Sequence, residues 1–336
     1  MLRTVIALGG NAIKQAYEKG TAEEQLRNCI LTSRNLAGVI MKMESDDRLV
    51  ITHGNGPQAG NLMLQQEEAE HIVPSQPLDM VGAMTQGQIG YMLQQTLTNC
   101  LKELGIEKPV CAIINRVLVD ESDPEFCGET ASKPVGDFFT EITARRMKKK
   151  HPEWMIKKVK PTGDKSWRRV VPSPDPIANL EASVIRNLVE AGVIVIASGG
   201  GGIPVAIDAT KCYRGVEAVI DKDLAGEKLA EVVDADVLLI LTDVEKVKLN
   251  YGKPEEKAID QMSLSEAKKY LEDGHFLKGS MEPKIKACVR FLEWGGKKAI
   301  ITSPDKAALS LQGNAGTLIY PHRPADVMNP RSDLRK

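Results

Sequence analysis

Residues 4–12 read TVIALGGNA, and the stretch has two halves. Thr4–Leu8 is an unbroken apolar run, the pattern of a strand covered on both faces. Gly9, Gly10 and Asn11 stop it. The arrangement recurs. LVITHGNGP at 49–57 runs a strand into Gly54-Asn55-Gly56, and VIVIASGGGG at 193–202 runs one into Gly199-Gly200-Gly201-Gly202. Amphipathic segments follow or separate these units. Thr21 with Glu24 forms a capping box before Leu26, Ile30, Ala37 and Ile40 recur at helical spacing. Further helices are expected at 87–104, 180–191, 224–233, 285–294 and 306–311. Strands are expected at 110–114, 216–220, 237–241, 298–301 and 317–320. Buried strands alternating with amphipathic helices give an α/β fold, a three-layer α/β/α sandwich with an open, mainly parallel sheet. The strand order is not legible from the pattern.

Residues 115–177 break the alternation. They hold seven prolines, Trp154 and Trp167, and between Arg145 and Arg169 eleven Lys/Arg against Glu153 and Asp164. Two readings stand: a solvated insertion, or a small cationic lid over an anionic substrate. The segment 321–336 is polar, with Pro324 and Pro330, and reads as an exposed tail.

Composition narrows the function. With 336 residues, 42% apolar and 26% charged, the chain can bury a sizeable core without metals or disulfides. Net charge is −1, which argues against a nucleic-acid or anionic-membrane partner. No two of the six cysteines have metal-knuckle or CxxC spacing, and no apolar run reaches membrane-spanning length. A cytoplasmic protein in a reducing compartment is expected. His53, in the HGNGP turn, is a ligand or a turn residue; the other histidines are scattered, and no zinc or hydrolase motif appears.

Glycine turns at the carboxyl ends of parallel strands are where such sheets bind ligands, and they let backbone approach an anion. Each alone is also an ordinary tight connection. None fits GxxxxGK[ST] or GxGxxG. Phosphoryl transfer would then need cations on other elements. Lys222 in VIDKDLAGEKLA, flanked by Asp221 and Asp223, Lys284 in GSMEPK and Lys133 in SKPVG sit beside strand ends, helix starts or Gly/Pro punctuation. Surface lysines that merely solubilise are the plainer alternative.

These pieces in order resemble the carbamate kinases of the amino-acid kinase superfamily, over roughly residues 3–320. The markers are VIALGGNA (5–12), THGNGPQ (52–58), GAMTQGQIGYM (82–92), KPVG (133–136), WRRVVPSPDP (167–176), IASGGGGIPV (196–205), GVEAVIDKDLAGEKLA (215–230), LTDV (241–244), DGHFLKGSM (273–281) and FLEWGG (291–296). The resemblance implies an eight-stranded sheet, a protruding lid subdomain at 115–177 and a cytoplasmic homodimer. It implies an N-terminal lobe, 1–205, holding carbamate or carbamoyl phosphate, and a C-terminal lobe, 206–320, holding nucleotide. The implied reaction is reversible, Mg²⁺-dependent phosphoryl transfer between ATP and carbamate, giving ADP and carbamoyl phosphate. In arginine catabolism, through the deiminase pathway, it runs toward ATP.

Carried over by residue, Gly9, Gly10 and Asn11 would face the moving phosphoryl group, and Gly54 and Asn55 the carbamate end. Lys133 would reach in from the lid and stabilise the substrate phosphate; Lys222 and Lys284 would neutralise phosphates, with Asp223 orienting them. Gly199, Gly200, Gly201 and Gly202 would border the site, and Asp243 and Tyr251 would lie by the nucleoside. Mg²⁺ would be held mainly by nucleotide phosphates.

Three departures bear on activity or substrate choice. Asn115-Arg116-Val117 replaces the usual Thr-Gln-Thr, Glu129-Thr130-Ala131-Ser132 replaces the usual lead-in to the lid lysine, and Glu282 replaces a glycine near Lys284. They leave two alternatives: an enzyme of this fold with another small acid acceptor, or a non-catalytic nucleotide-binding regulatory protein.

Overall fold

The computed structural model describes residues 1–15, 17–127 and 130–321, except the side chain of Asn11. Glu129 and all of the tail beyond Pro321 lie outside the described residues. Eight strands form the main sheet: β1 (Arg3–Leu8), β2 (Arg48–His53), β3 (Val110–Ala112), β4 (Ile194–Ile196), β5 (Val237–Leu241), β6 (Gln261–Ser263), β7 (Lys298–Thr302) and β8 (Thr317–Tyr320). Their order is β6-β8-β7-β5-β1-β2-β4-β3. All neighbours are parallel except β7 and β8, so the β6–β8 edge runs against the rest.

The apolar runs are unbroken because both faces are covered. In β1, Val5 and Ala7 join one core cluster and Ile6 and Leu8 the other. The first cluster packs α5 (Ala182–Glu190), α6 (Lys222–Val232), α7 (Leu264–Glu272) and α8 (Met281–Trp294) on the sheet. The second packs α1 (Ala22–Ile40), α3 (Leu78–Glu103) and α9 (Ala307–Leu311) on its opposite face. Helix α1 starts at the expected capping box: Thr21 Oγ1 accepts from the Glu24 amide at 3.2 Å and Glu24 Oε2 from the Thr21 amide at 2.9 Å.

Two expectations need correction. Helix α3 begins at Leu78, nine residues before the expected Gly87, directly after Pro77 at its N-cap. Residues 216–220 are not a strand. Val216, Ala218 and Ile220 are buried alternately, as in a strand, but the backbone bonds are single and divergent. The Val216 amide donates to Pro204 and the Val219 amide to Pro172, so no ladder forms.

Within 115–177, Lys133–Phe139, Trp167–Val171 and Met155–Lys158 form a three-stranded antiparallel sheet, with α4 (Glu141–Lys150) against it. Arg116–Leu118 instead pairs with Ile203–Ile207 and with Ala178–Asn179, in a second sheet beside the main one. All six cysteines are free thiols.

Candidate active site

The parallel register brings the carboxyl ends of β1, β2 and β5 level: Leu8 lies beside His53 on one side and Leu241 on the other. The glycine turns therefore emerge together. Above them opens a cleft of about 610 Å³, lined by Gly10, Gly54, Asn55, Gly200 and Gly202 from the turns and by Lys133, Gly136, Phe138 and Arg168 from the three-stranded sheet. Asp221, Lys222, Asp223, Gly279, Ser280 and Lys284 close the remaining wall.

Helix α6 delivers the central charges. Asp221 is its N-cap, accepting from the Asp223 amide through Oδ1 at 2.9 Å. Asp223, 3% exposed, lies between two lysines: Lys222 Nζ reaches Oδ1 at 2.5 Å and Lys284 Nζ reaches Oδ2 at 3.2 Å. Lys284 comes from the first turn of α8 and also donates to the Ser280 carbonyl at 3.1 Å. Lys133 arrives from the lid sheet and pairs with Asp221 Oδ2 at 2.8 Å. Burial opposes ionisation of Asp221, but Lys133, the Asp223 amide and Lys222 outweigh it and hold its carboxyl below the usual range. Three lysines on three separate elements thus converge on two aspartates, and each lysine keeps spare donors for an anion.

The glycines are spatial requirements here. A Cβ on Gly54 would come within 3.2 Å of Lys222 Cδ. Gly200 has φ +67°, and a Cβ there would run into the Asn55 side chain at 2.2 Å. Asn55 is itself fixed by donating to Thr85 Oγ1 at 2.9 Å. Gly9 sits beneath the cleft, its amide bonded to the Leu241 carbonyl, and Gly199 and Gly201 are buried behind it.

His53 is the buried last residue of β2, just before the glycine turn. Burial pushes its imidazole down to about 4, against the bond to the Gly54 carbonyl and with Lys222 adding to the effect. It is neutral at pH 7, donating from Nδ1 to that carbonyl at 3.0 Å, and fills the space beneath Gly199.

Asp243 and Tyr251 do not line the cleft. Asp243 is exposed just past the end of β5, bonded by Thr242 Oγ1, and Tyr251 is 53% exposed with Lys248 over its ring. Two departures from the family pattern also stay out of the cleft wall. Arg116 is held at the surface by Glu181, Nε at 2.9 Å and Nη2 at 2.7 Å. Glu282 sits in the first turn of α8, where a carboxylate suits the helix dipole, and only its neighbours Pro283 and Lys284 line the cleft.

Sequence reasoning missed several residues. Lys14 and Asn61 line the cleft without any motif to flag them. Arg168 was legible only as part of a basic stem; its guanidinium lies over the Phe138 ring and donates to the Gly136 carbonyl. Behind the glycines, Asn115 Oδ1 accepts from the amide of Ser198, which has a left-handed φ of 53°. Gln86 and Asn179 complete that buried network. It holds a backbone conformation that costs a non-glycine residue of order 1 kcal/mol or more. Among the described residues, no group of three or more His, Cys, Asp or Glu converges to hold a metal, and no helix is long and apolar enough to cross a membrane.

The chain matches the amino acid kinase family over residues 2–303. It is 52% identical to the carbamate kinase of Thermococcus kodakarensis over 321 residues, 95% of this chain and 99% of that one. It is 44% identical to the carbamate kinase of Clostridium perfringens, over 95% of this chain and 99% of that one. Among solved structures, carbamate kinase from Giardia lamblia bound to AMP-PNP superposes with a TM-score of 0.87 at 39% identity, covering 96% of this chain and 99% of that one. The chain belongs to the carbamate kinases of the amino acid kinase family.

Proposed function

We infer that the chain is an ATP:carbamate phosphotransferase, catalysing ATP + carbamate ⇌ ADP + carbamoyl phosphate. The observation that carries the reading is the convergence of Lys133, Lys222 and Lys284 on a glycine-floored cleft, in a chain half identical to enzymes of that name. Carbamate is already an anionic oxygen nucleophile, so no strong base is needed. Its oxygen attacks the γ-phosphorus in line as the bond to the bridging oxygen breaks and ADP leaves. The obstacle is the approach of two anions, and fixed cations offset it at the moment charge redistributes.

In this reading Gly10 and Gly54 give the moving group close backbone, and Asn55 orients the carbamate end. Lys222 lies against the transferring phosphoryl group, and Lys284 against the nucleotide phosphates. Asp223 fixes both lysines at its two oxygens. Gly9, Asn11 and Gly199–Gly202 border the site. Residues 1–205 serve the carbamate side and 206–320 the nucleotide side, with Asp243 and Tyr251 beyond the cleft toward the nucleoside. The donor set fits a Mg²⁺ carried on nucleotide phosphates: Asp223 faces the cleft and has lone pairs beyond those its lysines use, enough for one direct or water-mediated ligand. Bound there, Mg²⁺ would supply charge neutralisation of the phosphates.

The protein acts as a cytoplasmic homodimer in this proposal. Strand β3 is one edge of the sheet, and Ile114 and Tyr91 beside it are exposed apolar side chains. Sedimentation equilibrium tests the dimer.

The experiment for the reaction is ATP formation from carbamoyl phosphate and ADP with Mg²⁺, with Lys222→Ala as control. ATP formation lost in the control supports the assignment. Folded protein that binds ADP and makes no ATP above background would sink it, and would direct the search to other small acid acceptors.

A further inference from the structure

The mechanism above uses Asp223 fully and leaves Asp221 unexplained. Asp221 is a half-hidden carboxylate, its side chain 15% exposed, at the wall of a site built to attract anions. A negative charge there opposes substrate unless it does something else. Its two oxygens have different partners on different elements. Oδ1 caps α6 by accepting the Asp223 amide at 2.9 Å, and Oδ2 takes Lys133 Nζ at 2.8 Å.

We propose that Asp221 is a positioning residue that anchors the lid lysine to the N-terminus of α6, so that Lys133 presents its remaining donors to the phosphoryl group of carbamoyl phosphate. The need for an anchor follows from the lid. Lys133 begins the first strand of the small three-stranded sheet, with a flexible four-carbon stem. Left free, its ammonium would range over solvent, and holding it on binding would cost side-chain entropy. The ammonium has three donors, so a bond to Asp221 leaves two for an anion. The same carboxylate holds the turn of α6 that carries Lys222 and Asp223. One side chain therefore sets the distance between the lid cation and the helix cation. The inference rests on the reading of Lys133 as a phosphate-binding residue.

The test is a double-mutant cycle. Asp221→Asn keeps a capping oxygen and removes the charge that holds Lys133. Carbamoyl phosphate is titrated calorimetrically without ADP, so no turnover is required, and KM and kcat are measured separately. Asp221→Asn should raise the Kd and KM for carbamoyl phosphate by about tenfold, the scale of a lost charge-assisted bond, with kcat within about twofold and Tm unchanged. In a Lys133→Ala background the same substitution should change Kd by less than about twofold, because there is no lysine left to anchor. An equal effect in both backgrounds would mean a cap or general field effect and would overturn the anchor alone. Tighter binding in Asp221→Asn would mean that the carboxylate competes with substrate, and would also overturn it. Lys133→Ala that binds carbamoyl phosphate normally would overturn the reading of the lysine and the anchor with it.

Discussion

The main sheet and the lid are held together by different physics. Strands β1 and β5 bury nearly every side chain on both faces, and α6 and α8 pack into the same cluster. The lid buries few apolar side chains, among them Phe139, Ala144, Val170 and Val171. Its remaining order comes from cations over rings: Lys160 and Arg168 on Phe138, and Arg169 on Trp154. It is tied to the body by ion pairs, Lys150 to Glu70 and Arg169 to Glu217, and by Val135 and Val171 packing with Met63, Leu78 and Val81. An exposed pair such as Lys150–Glu70 contributes about 0–1 kcal/mol, against ~1.5–3 for one buried aliphatic side chain. The molecule thus places Lys222 and Lys284 on elements that cannot shift without breaking the main core, and Lys133 on one held by a smaller apolar cluster. In the proposed reaction the core fixes Lys222 and Lys284, and Asp221 holds the third lysine, Lys133, at 2.8 Å.

The sharpest way to break that comparison is at Lys222. Lys222→Ala should lower kcat by about 10²–10³-fold with little change in Tm, since its ammonium is spent on Asp223 and the cleft. Loss of folding instead would show that the lysine is structural. The lid should next declare itself in native-state amide exchange. Amides of Trp167–Val171 should exchange at least about 10²-fold faster than those of β1 and β5. Equal protection would mean that lid and core unfold as one unit.

Glu227 probes the core side. It is 0% exposed on α6, beside the Glu231 carboxylate and with Lys228 Nζ 3.7 Å away. Burial, and then Glu231, push its carboxyl well above the usual range, while Lys228 and Arg290 oppose them. A raised folded value means that the native state holds its proton longer than the unfolded chain. Stability from this group is complete below the ordinary carboxylate value and is lost as pH rises through the raised one. Glu227→Gln should therefore gain Tm over the parent by about 1–2 °C per pH unit across that window. Parallel curves at pH 6 and pH 9 would refute it.

The smallest contrast compares two helix caps. Thr21 caps α1 in the core and Thr140 caps α4 in the lid, each accepting from the amide three residues on. Thr21→Ala should cost about 1 kcal/mol of global stability in denaturant. Thr140→Ala should leave the global midpoint in place and speed exchange only within α4. A shift of the global midpoint by Thr140→Ala would join the lid to the core.

The fold was legible where burial is continuous. Five-residue apolar runs, as at Thr4–Leu8 and Val237–Leu241, have no other stable use in a chain this long, and the Thr21–Glu24 box marks its helix without help. What was hidden depends on partners far along the chain. Strand β6 is three residues, Gln261–Ser263, and exists because β8 lies beside it. The start of α3 was obscured by Gly82, Gly87 and Gly90, which dilute its apolar period. Residues 216–220 carried the right alternation but find no strand to pair with. At the site, motifs pointed to Lys133, Lys222, Asp223 and Lys284, which the fold does bring together. Lys14, just past a glycine turn, and Asn61, within the helix Gly56–Ala69, were invisible because a single polar residue has no pattern.

The position of β1 has a consequence for synthesis. It precedes β2 and β5 in the chain, and in the sheet it lies between them. Its β2 side closes within the first 53 residues, but the other side waits for Val237, roughly 180 residues later. At about 5–20 residues per second that is on the order of 10–40 s with an apolar strand edge open on the nascent chain. Through that interval the growing chain resembles an unfinished sheet more than a partial enzyme, and a strand from the middle of the finished sheet spends it with an edge open to mispairing.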